Sequence, residues 1–237
     1  MPINKVYYSF DAAVADIPDG AVIFIGGFGP PGGLPLNLIY ALARQGAKNL
    51  TLVANHMGHG FEQSKLVRPP HGYQDLGILF ENNQVRKVIA TAPALGNMPP
   101  TSPFEVQFNE GKIELEIVPQ GTLVERIRAG GAGIGGFYTR VGVGTVLEQG
   151  KEKRIIDGKE YLLELPLRAD YAFIRAHKAD TMGNLVYRGT SRAFNPVMAT
   201  AADITIAEVE QLVQPGELDP NCIHTPCVYV DRIVLIR

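Results

Sequence analysis

Val22-Ile23-Phe24-Ile25, the loop Gly26-Gly27-Phe28-Gly29-Pro30-Pro31-Gly32-Gly33-Leu34-Pro35, and Leu50-Thr51-Leu52-Val53-Ala54 are the stretches that decide the fold. The first and last are continuous apolar, partly β-branched runs, the pattern of strands covered on both faces. After the Gly/Pro loop, Leu38, Ile39, Leu42 and Ala43 recur at helical spacing, and Gly46 is placed to end that helix. Strand, loop, helix and strand make a parallel pair joined by a crossover helix.

The same pattern repeats on either side. Ala12-Ala13-Val14 and Ile17 suggest a short opening helix ended by Pro18-Asp19-Gly20. Residues 85–90, 113–118, 171–175, 185–187, 204–208 and 228–236 read as strands, and 123–128 and 194–202 as helices. Asp157-Gly158 between two apolar runs marks a hairpin over 154–165. The expectation is an α/β fold of three layers, an open and mostly parallel sheet with flanking helices and a small hairpin excursion. No linker divides residues 1–237, so a single domain is expected. Residues 55–77 and 92–104 read as long loops, and in open α/β sheets ligands gather beyond the carboxyl ends of strands.

Composition narrows the class. The chain has 237 residues, is 46% hydrophobic and 19% charged, and carries a formal net charge of -2. No charge excess points to nucleic acid or to a bilayer surface. No stretch approaches the roughly 18 apolar residues of a membrane span, and the first ten residues lack the form of a signal peptide. Cys222 and Cys227 are too few for a disulfide framework. A cytoplasmic setting is the expectation.

Gly27-Phe28-Gly29-Pro30-Pro31-Gly32 formally satisfies the dinucleotide fingerprint. Pro30 and Pro31 lack N–H donors, however, and the following strand ends in Asn55 rather than in an acidic ribose ligand. A tight turn without cofactor also accounts for the glycines. His56, His59 and His71 have no fitting carboxylate or cysteine beside them, so no metal is expected. Neither a nucleophile elbow nor a P-loop is present. A second glycine cluster, 130–136, suits close approach of a ligand or of another chain's backbone.

Together these pieces resemble the first (alpha) subunit of the family I coenzyme A transferases. The resemblance rests on Asp19-Gly20, Gly26-Gly27-Phe28-Gly29 and Gly33-Leu34-Pro35, and on Val118-Pro119-Gln120-Gly121-Thr122-Leu123 with Glu125 to Gly133. It continues through Phe137-Tyr138-Thr139, Leu167-Arg168-Ala169-Asp170, Lys178-Ala179-Asp180, Gly183-Asn184-Leu185-Val186-Tyr187, Ser191-Arg192, Phe194-Asn195-Pro196 and His224-Thr225-Pro226. It implies transfer of coenzyme A from an acyl-CoA to a short-chain carboxylic or 3-oxo acid, through a glutamyl thioester on a partner beta subunit. It also implies a heterodimer or heterotetramer, and no cofactor, since the coenzyme A thioester is a substrate. Asn55 and Gln120 match supporting amides of the site, and Gly26, Gly27, Phe28 and Gly29 the wall near the acyl end. Two departures stand out. Four residues, Gly29 to Gly32, separate Gly-Gly-Phe from Gly-x-Pro where the signature has three, and the region between His56 and Asp75 is lengthened. Two other readings share this class of fold, a sugar-phosphate isomerase and a non-catalytic binding protein.

Overall fold

A computed structural model describes residues 4–28, 32–58, 75–93 and 102–237. In chain order its elements are α1 (Phe10–Val14), β1 (Val22–Ile25), α2 (Leu36–Gln45), β2 (Leu50–Ala54), α3 (Gly77–Glu81), β3 (Val85–Ala90), α4 (Pro103–Asn109), β4 (Glu114–Ile117), α5 (Gln120–Ala132), β5 (Phe137–Thr139), β6 (Lys153–Ile156), β7 (Lys159–Glu164), β8 (Ala169–Asp180), β9 (Leu185–Val186), α6 (Asn195–Ala199), β10 (Ala202–Val213) and β11 (Arg232–Leu235).

The expected crossover unit is present, with β1 parallel to β2, Ile23 opposite Leu52 and α2 ending at Gly46. Seven strands lie in the order β11-β10-β8-β1-β2-β3-β4, every neighbouring pair parallel, with β9 antiparallel on β8. Side chains alternate along β1. Ile23 and Ile25 face one core with Leu38 and Leu42 of α2, Phe80 of α3 and Phe104 of α4, while Phe24 faces a second core with Leu123 and Ile127 of α5 and Met198 of α6. Burial of each such side chain stabilises the fold by roughly 1.5–3 kcal/mol. These two cores explain why the run lacks polar alternation.

The order reverses between β1 and β8. The chain leaving β1 enters α2 on one face, and the chain leaving β8 passes β9 to reach α6 on the other. Such a reversal opens a crevice at the strand ends, the usual place for a ligand. Beside this sheet, β5-β7-β6 form a small antiparallel sheet. Its hairpin turn places Asp157 (φ 48°) and Gly158 (φ 70°) in the left-handed region, as the Asp-Gly pair predicts.

Several boundaries differ from the sequence reading. Strands β8 and β10 run to Asp180 and Val213, beyond the expected ends at 175 and 208, because their polar tails pair across the ladder, Arg175 opposite Glu208 and Lys178 opposite Gln211. The helix expected over 194–202 spans only Asn195–Ala199, since Ala202 already joins β10. The strand expected over 228–236 shortens to Arg232–Leu235. Pro226 starts a 3-10 turn over Cys227–Tyr229 that leaves Val228 exposed. Helix α4 falls at the end of a stretch read as loop, its start marked by a capping box between Ser102 and Glu105.

The second glycine cluster is also resolved differently. Gly130 and Gly131 lie within α5, where a Cβ would come 2.2 Å from the Leu167 carbonyl oxygen and 2.6 Å from that of Thr200. The close approach is to the chain's own backbone. Among the described residues no helix is long and apolar enough to cross a membrane.

Candidate active site

Three strand ends build the site. Asn55 directly follows β2, Gln120 opens α5 two residues after Val118, and Gly26-Gly27-Phe28 follow β1. The ends are tied together by backbone. Ala92 N–H donates to the Asn55 carbonyl at 3.0 Å, and Val118 N–H to the Ala90 carbonyl at 3.0 Å. Pro119 is the N-cap of α5, its ψ of 140° extended, and it disfavours helix at the residue before it, so the helix opens at Gln120. These constraints place the two predicted amides in contact: Gln120 Nε2 donates to Asn55 Oδ1 at 2.7 Å. That bond fixes the Asn55 carboxamide, and the amino group on its other arm is held ready to donate.

The glycine wall is equally constrained. Gly26 and Gly27 are buried, and Gly27 has φ 88°, a conformation that L side chains rarely adopt. A Cβ at Gly27 would lie 2.7 Å from Gly33 backbone, and one at Gly26 only 1.9 Å from Asn195 Oδ1. Phe28 then projects towards α6, its ring edge-on to Phe194 with centroids 4.6 Å apart. Gly29 lies outside the described residues, as do His59 and His71.

Phe28, Gln120, Val124, Phe137, Thr139 and Phe194 line a cavity of about 520 Å³ together with Gly121, Thr122, Glu125 and Val141. It is an apolar hollow with an amide at its rim, a combination suited to a small acyl group whose oxygen meets a donor. The carboxylate in its lining, Glu125, is engaged by Arg128 one turn along α5 at 2.8 Å. The aromatic lining from Phe137 and Phe194 has no site role in the sequence reading. Both residues belong to the motifs that carry the family resemblance, yet nothing in their spacing tells a pocket ring from a core ring.

Behind the wall lies a charged group. Glu208 of β10 is fully buried, and its Oε2 accepts from Asn37 N–H at 2.9 Å and Leu38 N–H at 3.2 Å at the start of α2. Burial pushes its pKa up to about 7, with Arg175 (3.5 Å away) and those N–H donors opposing the shift. Burial acts on Glu210 in the same direction, but hydrogen bonding with His177 and Arg175 outweighs it and holds that carboxyl below its ordinary value. Among the described residues no group of three His, Cys, Asp or Glu side chains is arranged to hold a metal ion.

Comparison with known proteins identifies the family. The A subunit of 3-oxoadipate CoA-transferase from Pseudomonas putida is 45% identical over 236 residues, covering 99% of this chain and 94% of the relative. The alpha subunit of acetate CoA-transferase from Escherichia coli (strain K12) is 46% identical over 219 residues, covering 92% and 90%. The crystal structure of an acyl-CoA transferase apoenzyme from Escherichia coli O157:H7 shares the fold with a TM-score of 0.81 at 24% identity. The match covers 99% of this chain and 47% of that one, so the chain spans about half its length. The coenzyme A transferase family profile matches residues 7–235. With the family profile and these relatives matching over nearly the whole length, the chain belongs to the coenzyme A transferase family of enzymes.

Proposed function

We propose that this chain supplies the alpha half of a coenzyme A transferase site, completed by a separate beta subunit that carries the attacking glutamate. The observation that carries this reading is the Asn55–Gln120 amide pair at the rim of an apolar cavity walled by Phe28. Uncharged amides can orient a carboxylate or stabilise an acyl oxyanion without competing as nucleophiles. Among the described residues the one carboxylate lining the cavity, Glu125, is held by Arg128. A nucleophile from outside the chain fits both facts.

In this reading the partner's glutamate attacks the acyl-CoA carbonyl, giving a mixed anhydride and a free coenzyme A thiolate. The thiolate then attacks the glutamyl carbonyl and releases the first acid. The second acid repeats the sequence in reverse, so the thioester's energy is kept and no ATP or cofactor is consumed. The substrates proposed are an acyl-CoA and a short-chain carboxylic or 3-oxo acid, such as acetate, acetoacetate, succinate or butyrate. A heterodimer or heterotetramer in the cytoplasm is the proposed form, and the free thiols of Cys222 and Cys227 suit that compartment.

The test compares the purified chain with the chain co-expressed with its beta subunit. Transfer from acetyl-CoA and succinyl-CoA to these acids is expected only from the complex. Borohydride trapping after incubation with acyl-CoA should reduce a glutamate of the partner chain. Reduction at Glu125, or transfer by the lone chain, would overturn the reading.

A further inference from the structure

We infer that Asn195 and Glu208 are positioning residues that clamp the two ends of the glycine turn from opposite faces of the sheet, using Arg175 of β8 as their common reference. The inference rests on the proposed transferase reading for its kinetic consequence, but its geometry stands apart from it. The described ends of the turn, Gly26–Phe28 after β1 and Gly32–Pro35 before α2, lie where the sheet order reverses. A segment so rich in glycine and proline has few regular backbone bonds with which to fix its own path.

Asn195 secures the turn from the α5/α6 face. It is fully buried, and its Nδ2 donates to the carbonyls of Gly33 at 3.1 Å and Ser191 at 2.9 Å. Its Oδ1 accepts from Arg175 N–H at 3.1 Å and fills the space that a Cβ on Gly26 would need. The absence of a side chain at Gly26 and the presence of the carboxamide are therefore one fitted arrangement. Phe194 immediately precedes Asn195 and meets Phe28 edge-on, so the same short segment holds the turn and half of the aromatic wall.

Glu208 secures the other end from the opposite face. Helix α2 begins at Leu36 after Pro35, which makes no side-chain capping bond. The backbone donors of its first turn are met instead by Glu208 from β10, at Asn37 and Leu38. Its other oxygen lies 3.4 Å from Asn37 Nδ2 and 3.5 Å from the Arg175 guanidinium. One residue of β8 thus touches both anchors, through its backbone on one face and its side chain on the other.

The experiment uses the co-expressed complex and two readouts, residue-resolved amide hydrogen exchange and the split between kcat and KM for the acyl-CoA. Asn195→Asp keeps the shape and the acceptor for Arg175 N–H but turns both donated bonds into oxygen–oxygen repulsion. Exchange at Gly26 and Phe28 is expected to rise at least about tenfold, with kcat/KM falling about tenfold or more, mainly through KM. Glu208→Leu should do the same at Asn37 and Leu38, and Glu208→Gln, which keeps an acceptor, should recover most of the loss. Exchange confined to parent levels, an increase spread evenly over β3 and β4 as well, or kinetics within twofold of the parent would overturn the inference. If the parent complex transfers no coenzyme A, the functional proposal fails, while the exchange at these four amides still decides whether the clamp exists.

Discussion

The carboxyl edge of the central sheet has two halves of opposite character. At the β2 and β4 end, the side chains brought together are the neutral amides of Asn55 and Gln120. At the β8 and β10 end, Arg175, Glu208 and Glu210 form a partly buried charged group, with His177 hydrogen-bonded to Glu210. The first half faces an apolar cavity with groups that keep one charge state at every ordinary pH. The second half lies behind the wall, where charge is used to tie backbone elements together. The difference teaches that the chain meets the cavity at Asn55 and Gln120 with neutral amides, while the one carboxylate among the described lining residues, Glu125, is paired with Arg128, and that behind the wall ionisable groups fix geometry.

Breaking the neutral half should have the largest effect. In the two-chain complex, Asn55→Ala is expected to lower kcat by roughly 100- to 1,000-fold, the loss found when one oxyanion donor is removed. Steady-state kinetics with unchanged complex formation would check it, and a loss below about threefold would make the amide pair a structural bridge only.

The charged half is tested by pH. Glu208 has a folded pKa of about 7 against an ordinary value of 4.5, so the folded chain holds its proton longer than the unfolded one. Its contribution to stability is complete below 4.5 and is lost as pH rises through about 7, by on the order of 3 kcal/mol. Glu208→Gln removes that slope. The variant should therefore gain on the parent in denaturant unfolding as pH rises across this window, and a flat difference would contradict the buried setting of the carboxyl.

The smallest effect sharpens the distinction between charge and buried charge. Arg44 and Asp11 form an ion pair whose side chains are 59% and 65% exposed. Arg44→Ala should change unfolding stability by less than about 1 kcal/mol and leave transfer activity unaltered. A loss several times larger would show that exposure does not separate the two kinds of ion pair here.

The neutral half is far more legible in the sequence than the charged half. Asn55 and Gln120 each follow a clear apolar run, and the resemblance to a known family marks both. Their contact needs the strand order, which brings β2 and β4 to either side of β3. Arg175 and Glu208 stand at the expected limits of their strands because polarity in a strand reads as solvent exposure. Here the polar positions face each other across two long neighbouring strands, and the charge is satisfied internally. Gly130 and Gly131 mislead for a similar reason. Glycine near the end of a helix signals a loop, whereas these two admit the backbone at Leu167 and Thr200. Helix α4 is the avoidable miss, since Ser102-Pro103 with Glu105 carries a complete start signal. The prolines upstream draw the loop reading past it.

The order of the strands also bears on how the chain is made. Strand β1 takes β2, next along the chain, as one neighbour, but its other side pairs with β8, where Ile23 meets Tyr171. During synthesis the amino-terminal strands can assemble while that inner edge of β1 still waits for residues the ribosome has not delivered. An apolar edge with unmatched backbone groups is a template for wrong neighbours, and closing it requires a contact distant in sequence. Refolding at high concentration should therefore suffer before β8 docks and closes this edge of β1, and again until β10 covers the outer edge of β8.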